Sequence, residues 1–117
     1  MDPKALLRLD SVVRHIDAVQ NDLDGVSLDT FKENDLLLRA TCFSVVQIGE
    51  AMNKLETIFG ERYPDLPWRL SNRMRNFLVH DYDSVDAQIV YETVKDDLPA
   101  LKAAILAIKN DMRQESI

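Results

Sequence analysis

The 117-residue chain is 46% hydrophobic and 29% charged, a globular balance with enough residues for one core without disulfides or metals. Its formal net charge of −6 argues against a nonspecific nucleic-acid coat protein, which would be basic. Three glycines and four prolines favour long helices over many short strands, and the single cysteine cannot form an intrachain disulfide.

Asp2 and Pro3 read as a helix start, a capping side chain followed by proline in the first turn. Leu6, Leu9, Val13, Ile16 and Val19 (or Gln20) follow at helical spacing as far as Leu23, and Gly25 ends the helix. His15 lies beside this stripe and reads as a surface or core-edge histidine. The connection from Val26 to Glu33 holds one helical turn capped by Ser27. Asn34 then caps a long helix from about Asp35 to Phe59, with Leu37, Thr41, Val45, Ile48, Met52, Leu55 and Phe59 on its apolar side and Gly60 as its stop. Gly49, inside this helix, costs about 1 kcal/mol against alanine, which suggests close approach by another helix. Cys42 sits in the apolar run Ala40 to Gly49 and reads as a buried core thiol. That run, bounded by Arg39 and Glu50, falls well short of the roughly 20 apolar residues a membrane-spanning helix needs. The start, Met1-Asp2-Pro3-Lys4, has no signal-peptide design, so the expected location is the cytoplasm.

Arg62-Tyr63-Pro64-Asp65-Leu66-Pro67-Trp68 is a turn, with Pro67 suited to the first turn of a third helix that runs to around Val79. Leu70, Met74, Phe77 and Leu78 form its apolar side, and Trp68 reads as a packing anchor. Asp81-Tyr82-Asp83-Ser84 interrupts the pattern, and Ser84 or Asp83 caps a fourth helix carrying Val85, Ile89, Val90 and Val94. Asp97-Leu98-Pro99 restarts or kinks it, and the last helix carries Leu101, Ile105 and Ile108 and frays near Arg113. With no repeats and no linkers, residues 1–117 read as one domain, all-α, an antiparallel bundle of four to five helices.

The stretch from Arg73 to Tyr82 concentrates chemistry: Arg73, Arg75, Asn76, His80 and Tyr82 near one helix end, with Arg62 and Arg69 just before it. A histidine titrates near neutrality and can move a proton. An arginine can hold a phosphate by two hydrogen bonds and offset charge growing on it. Together they suit phosphodiester cleavage of RNA, which brings its own nucleophile, the 2′-hydroxyl. On an unbroken helix the Arg75 and His80 directions diverge by about 140°. They converge if the helix ends before His80, or if sites from two chains meet. By spacing alone the simpler reading is a basic helix end, with His80 on the last carbonyls.

The order Arg75, Asn76, His80, Tyr82 resembles the Arg-x4-His-x-Tyr motif of the HepT-like toxins, in the HEPN superfamily of helical ribonucleases. The likeness extends to Gln47-Ile48-Gly49-Glu50-Ala51, to Tyr63-Pro64-Asp65-Leu66-Pro67-Trp68-Arg69 and to Val94-Lys95-Asp96-Asp97-Leu98-Pro99. The resemblance implies a HEPN-like bundle that works as a metal-independent endoribonuclease toxin. Arg75 and His80 would be its catalytic pair, Asn76 the residue that assists them, and 2′,3′-cyclic phosphates its products. Arg69 and Arg73 are the expected substrate contacts. The resemblance also implies a homodimer with the two motifs across a shared cleft, and a cognate nucleotidyltransferase antitoxin that transfers AMP to Tyr82. No cofactor is expected. With two histidines, one cysteine and no ligand spacing, Asp81/Asp83 and Asp96/Asp97 read as caps or solvated charges, not as a metal site. The alternative function is a noncatalytic helical subunit that only binds a nucleotidyltransferase; the Arg75, Asn76 and His80 set, which a scaffold would not need, favours the enzyme.

Overall fold

A computed structural model describes residues 3–78 and 85–115. The described residues form helices and connecting turns only, in the order α1 (Pro3–Asp22), α2 (Leu28–Glu33), α3 (Asp35–Phe59), α4 (Leu70–Arg75), α5 (Ala87–Glu92) and α6 (Leu98–Glu115). A 3₁₀ turn, Asn76–Leu78, follows α4, and a π turn, Thr93–Asp97, joins α5 to α6. The all-α bundle is as expected. The proposed cap at Asp2, the break Asp81-Tyr82-Asp83-Ser84, and the site residues His80 and Tyr82 lie outside the described residues.

Local chemistry sets most of the boundaries. Ser27 Oγ accepts from the Thr30 N–H at 3.2 Å and starts α2; Asn34 Oδ1 accepts from the Leu37 N–H at 3.0 Å and starts α3. Gly25 closes the turn after α1 with φ +72°, the left-handed region that glycine enters without penalty. Gly60, where α3 stops, keeps right-handed geometry at φ −60°.

Three helix assignments shift. The third helix begins at Leu70 rather than Pro67, because Pro67 and Trp68 wind through tight turns: Leu70 N–H donates to Pro67 O and Ser71 N–H to Trp68 O, three residues back. It leaves α geometry after Arg75, short of Val79. The cap of α5 is Asp86, whose Oδ1 accepts from the Gln88 and Ile89 N–H groups, rather than Ser84 or Asp83. The kink foreseen at Asp97-Leu98-Pro99 is the π turn, in which the Leu98 N–H reaches back five residues to Thr93 O. Pro99 has no N–H and its ring crowds the carbonyl four residues before it, so the helix widens just upstream. Thr93 Oγ1 donates to Ile89 O at 2.8 Å, which bends the same turn.

The core is built from single stripes. In α3, Thr41, Val45, Ile48, Met52, Leu55 and Phe59 are buried, as the spacing predicts. In α6 the buried set is Leu98, Leu101, Ile105, Ile108 and Met112. In α1 the stripe is rotated by one position: Ala5, Leu9, Val12, Ile16 and Val19 face inward, while Leu6 is 43% exposed. Helices α1 and α6 run antiparallel, as ion pairs from Lys102 to Asp17 and from Lys109 to Asp10 along their seam show. The C-terminal arm is tied back to the turn after α1 by Tyr91 Oη, which donates to Val26 O at 2.6 Å, and Lys95 Nζ, which donates to Leu23 O at 2.8 Å. Trp68 is buried and donates from Nε1 to Tyr63 O, as a packing anchor should. Among the described residues, no helix is long and apolar enough to cross a membrane.

Cys42 is fully buried, and desolvation pushes its thiol up from 9 to about 11. The linked stability is complete below pH 9 and is lost as pH rises toward 11, where the folded thiol finally ionises. At pH 8 a disulfide-exchange reagent should therefore modify Cys42 only at the rate of unfolding, with the rate rising in parallel with urea. Rapid labelling of the native protein would show that the thiol is accessible.

Candidate functional site

Helix α4 has six residues, too few to hold itself in water. Its position comes from packing on α3, where Ser71 and Met74 are buried. Gly49 makes that approach possible. A Cβ built there would lie 2.9 Å from both Arg75 Cγ and the Ser71 carbonyl oxygen, and 3.0 Å from the Arg75 nitrogen. The close helix approach suggested by a glycine inside α3 is thus realised, and the approaching residue is Arg75 itself.

One position along α3, Glu50 receives the arginine. Arg75 Nε donates to Glu50 Oε1 at 3.1 Å, with 34% of the Arg75 and 46% of the Glu50 side chain exposed. Asn76 follows as the C-cap, its N–H directed at Asn72 O and Met74 O, and its side chain is exposed. The α-helix thus ends at Arg75 and passes directly into the 3₁₀ turn Asn76–Leu78.

The arginines that cluster in sequence separate in space. Arg73 is two positions from Arg75, about 200° around the helix, and faces the other way: its Nη1 lies 3.8 Å from Asp97 Oδ2 on the π turn. Arg69 and Arg73 line an open groove with Pro67, Leu70, Asp96 and Asp97. Arg62 is farther off, paired with Glu115 at the end of α6 and stacked over the Tyr63 ring at 5.4 Å. His15 is half-buried in α1, and burial, helped by the Arg14 charge, lowers its pKa below 6.5. It belongs to the core edge, as expected.

Glu50 and Asp97 are the residues that pattern reading passed over. Glu50 stands inside a stretch quoted only for its likeness to a family, and Asp97 reads as a cap. Nothing in their spacing marks them, since each pairing depends on how α4 crosses its neighbours.

Comparison with known proteins adds identity to this geometry. Residues 9–108 match the family model described as "Ribonuclease HepT-like". A protein of Thermococcus cleftensis named "Probable ribonuclease HepT" is 39% identical over 74 residues, 60% of this chain and 67% of that protein. A candidate RNase of Caldanaerobacter subterraneus is 29% identical over 100 residues, 86% of this chain and 89% of its own. Another from Methanocaldococcus jannaschii is 30% identical over 111 residues, 95% and 90% of the two chains. No solved structure matches.

The contact at Gly49 yields a direct test. Gly49→Val should destabilise the fold by about 1–3 kcal/mol in urea denaturation, because the added atoms overlap α4. A variant as stable as the wild type would mean that α4 does not rest on this residue.

Proposed function

The chain belongs to the HepT-like ribonuclease family, and we propose that it is an endoribonuclease that cuts RNA without a metal, acting in the cytoplasm as the toxin of a toxin–antitoxin pair. The observation that carries this reading is the family match over residues 9–108, a span that contains the whole stretch from Arg75 to Tyr82. The Arg75 side chain, anchored by Glu50 and about one third exposed, supports it.

In this mechanism Arg75 holds the scissile phosphate and offsets charge that builds on its oxygens. The 2′-hydroxyl attacks phosphorus and gives up its proton, the bond to the 5′-oxygen of the next nucleotide breaks, and that oxygen takes a proton. His80 handles one or both transfers. The products are a 2′,3′-cyclic phosphate and a free 5′-hydroxyl. Asn76 assists by hydrogen bonding from the rim. Arg69 and Arg73, on the opposite side of α4, would take phosphates farther along the strand.

The proposed homodimer has a surface to use. Leu36 is 71% and Phe43 58% exposed, and with Glu50 they recur every seven residues on one face of α3. A second copy on this stripe would bring its motif toward the first, the other route to convergence of Arg75 and His80. The expected partner is a nucleotidyltransferase antitoxin. Tyr82 Oη would attack the α-phosphorus of ATP on that partner, pyrophosphate would leave, and a base of the partner would take the phenol proton. The attached AMP would set a negative charge beside the arginines and repel RNA.

Arg75→Ala and His80→Ala should each lower RNA cleavage by about 10²–10⁴-fold with unchanged circular dichroism, and each should relieve growth inhibition. Cleavage by the wild type should persist in excess EDTA. Full activity of His80→Ala would remove that residue from the reaction, and loss in EDTA would refute a metal-free route. A folded wild type that binds the nucleotidyltransferase yet leaves RNA intact would favour a scaffold role instead.

For Tyr82, coexpression with the neighbouring nucleotidyltransferase and intact-mass spectrometry give the readout. The wild type should gain mass in AMP units and Tyr82→Phe should not, and Tyr82→Phe should escape neutralisation. A neutralised wild type of unchanged mass would mean that the antitoxin works by binding alone.

A further inference from the structure

We infer that Glu50 is a positioning residue: it fixes the plane of the Arg75 guanidinium by its Nε edge and so presents the opposite fork of nitrogens to a phosphate. The inference rests on the ribonuclease reading for what Arg75 binds, but the seat itself is a matter of geometry.

Three contacts define the seat. Gly49 lets the Arg75 backbone and Cγ approach α3, with a would-be Cβ at 2.9–3.0 Å from them. Glu50, the next residue, takes the Nε hydrogen at 3.1 Å. The α-helix ends at Arg75, so the side chain leaves α4 at its last residue. A guanidinium is a rigid plane with five donors, and its two terminal nitrogens match two oxygens of a phosphate. A carboxylate that gripped those terminal nitrogens would compete with substrate. A carboxylate on Nε orients the plane and, among the described residues, does not occupy the fork.

The magnitudes separate this role from a merely structural one. Both side chains are more than a third exposed or close to it, and ion pairs of this kind add little to stability. A phosphate-binding group displaced by about 1 Å, in contrast, can cost about 100-fold in rate. Glu50 should therefore matter far more to turnover than to folding.

The test uses the full chain. Nitrogen-15 NMR of arginine side chains should show a distinct, slowly exchanging Nε–H signal in the wild type, identified by its absence in Arg75→Lys. Glu50→Gln, which keeps an accepting oxygen, should retain the signal, and Glu50→Ala should lose it into the averaged signals of exposed arginines. On RNA, Glu50→Ala should lower kcat by about 10- to 100-fold with little change in KM, and Glu50→Gln should recover most of that loss. Melting midpoints should stay within about 5 °C of wild type. An averaged Arg75 signal in the wild type, or a distinct one in Glu50→Ala, overturns the seat whatever the RNA result. Full kcat in Glu50→Ala, when Arg75→Ala is inactive, overturns the positioning role and leaves the ribonuclease reading standing. A seat confirmed by NMR in a wild type that cuts no RNA upholds the geometry and refutes the ribonuclease reading.

Discussion

The missing side chain of Gly49 sets how closely α4 can lie on α3, and the candidate site is built on that distance. Glycine inside a 25-residue helix costs about 1 kcal/mol against alanine. What is gained is contact between the Ser71 carbonyl, the Arg75 backbone and the groove of α3. A six-residue helix has no stability of its own to bring to this arrangement. The buried side chains of Ser71 and Met74 and the floor at Gly49 hold it, and they place its final residue, Arg75, next to Glu50.

The opposite side of α4 depends on a second departure from regular helix. Pro99 cannot continue an α-helical ladder, and the chain upstream widens into the π turn Thr93–Asp97. That turn carries Asp97 to within 3.8 Å of Arg73. Tyr91, just before the turn, and Lys95, within it, donate to carbonyls of the turn after α1. Because Arg73 and Arg75 point about 200° apart, one short helix is addressed by two carboxylates from two different layers. The Arg-x-Arg spacing thus serves placement as well as charge.

How much of this was legible beforehand follows from how local each cause is. Ser27 and Asn34 cap the helices assigned to them, Gly25 takes positive φ, and the α3 stripe from Thr41 to Phe59 is buried as its spacing requires. Each of these acts within a few residues of itself. The α1 stripe was misread by one position because Leu6 and Val13 are as apolar as their neighbours Ala5 and Val12, and only the packing partner decides which pair turns inward. The start of α4 and the cap of α5 were placed too early because proline, serine and aspartate offer several equivalent starts. At the candidate site, likeness to a family singles out Arg75 and Asn76, whereas it assigns Glu50 no role. A pair separated by 25 positions leaves no periodic trace.

The charge distribution bears on how a chain of net charge −6 could hold RNA in the proposed function. Arg62 faces Glu115 and Arg73 faces Asp97, so at those positions an RNA phosphate would have to replace a carboxylate that is already there. Such an exchange would make Arg73 a weak outer contact for the proposed substrate and would limit sequence-independent coating of the surface. At Arg75 the Glu50 carboxylate lies on the Nε edge instead, so a phosphate on the terminal nitrogens would not have to displace Glu50. Among the described residues, carboxylates thus meet Arg62 and Arg73 at a terminal nitrogen but meet Arg75 at Nε. An acidic total is then compatible with the proposed function, in which the orientation of one guanidinium, and not the sum of charges, would decide where the backbone of RNA is held.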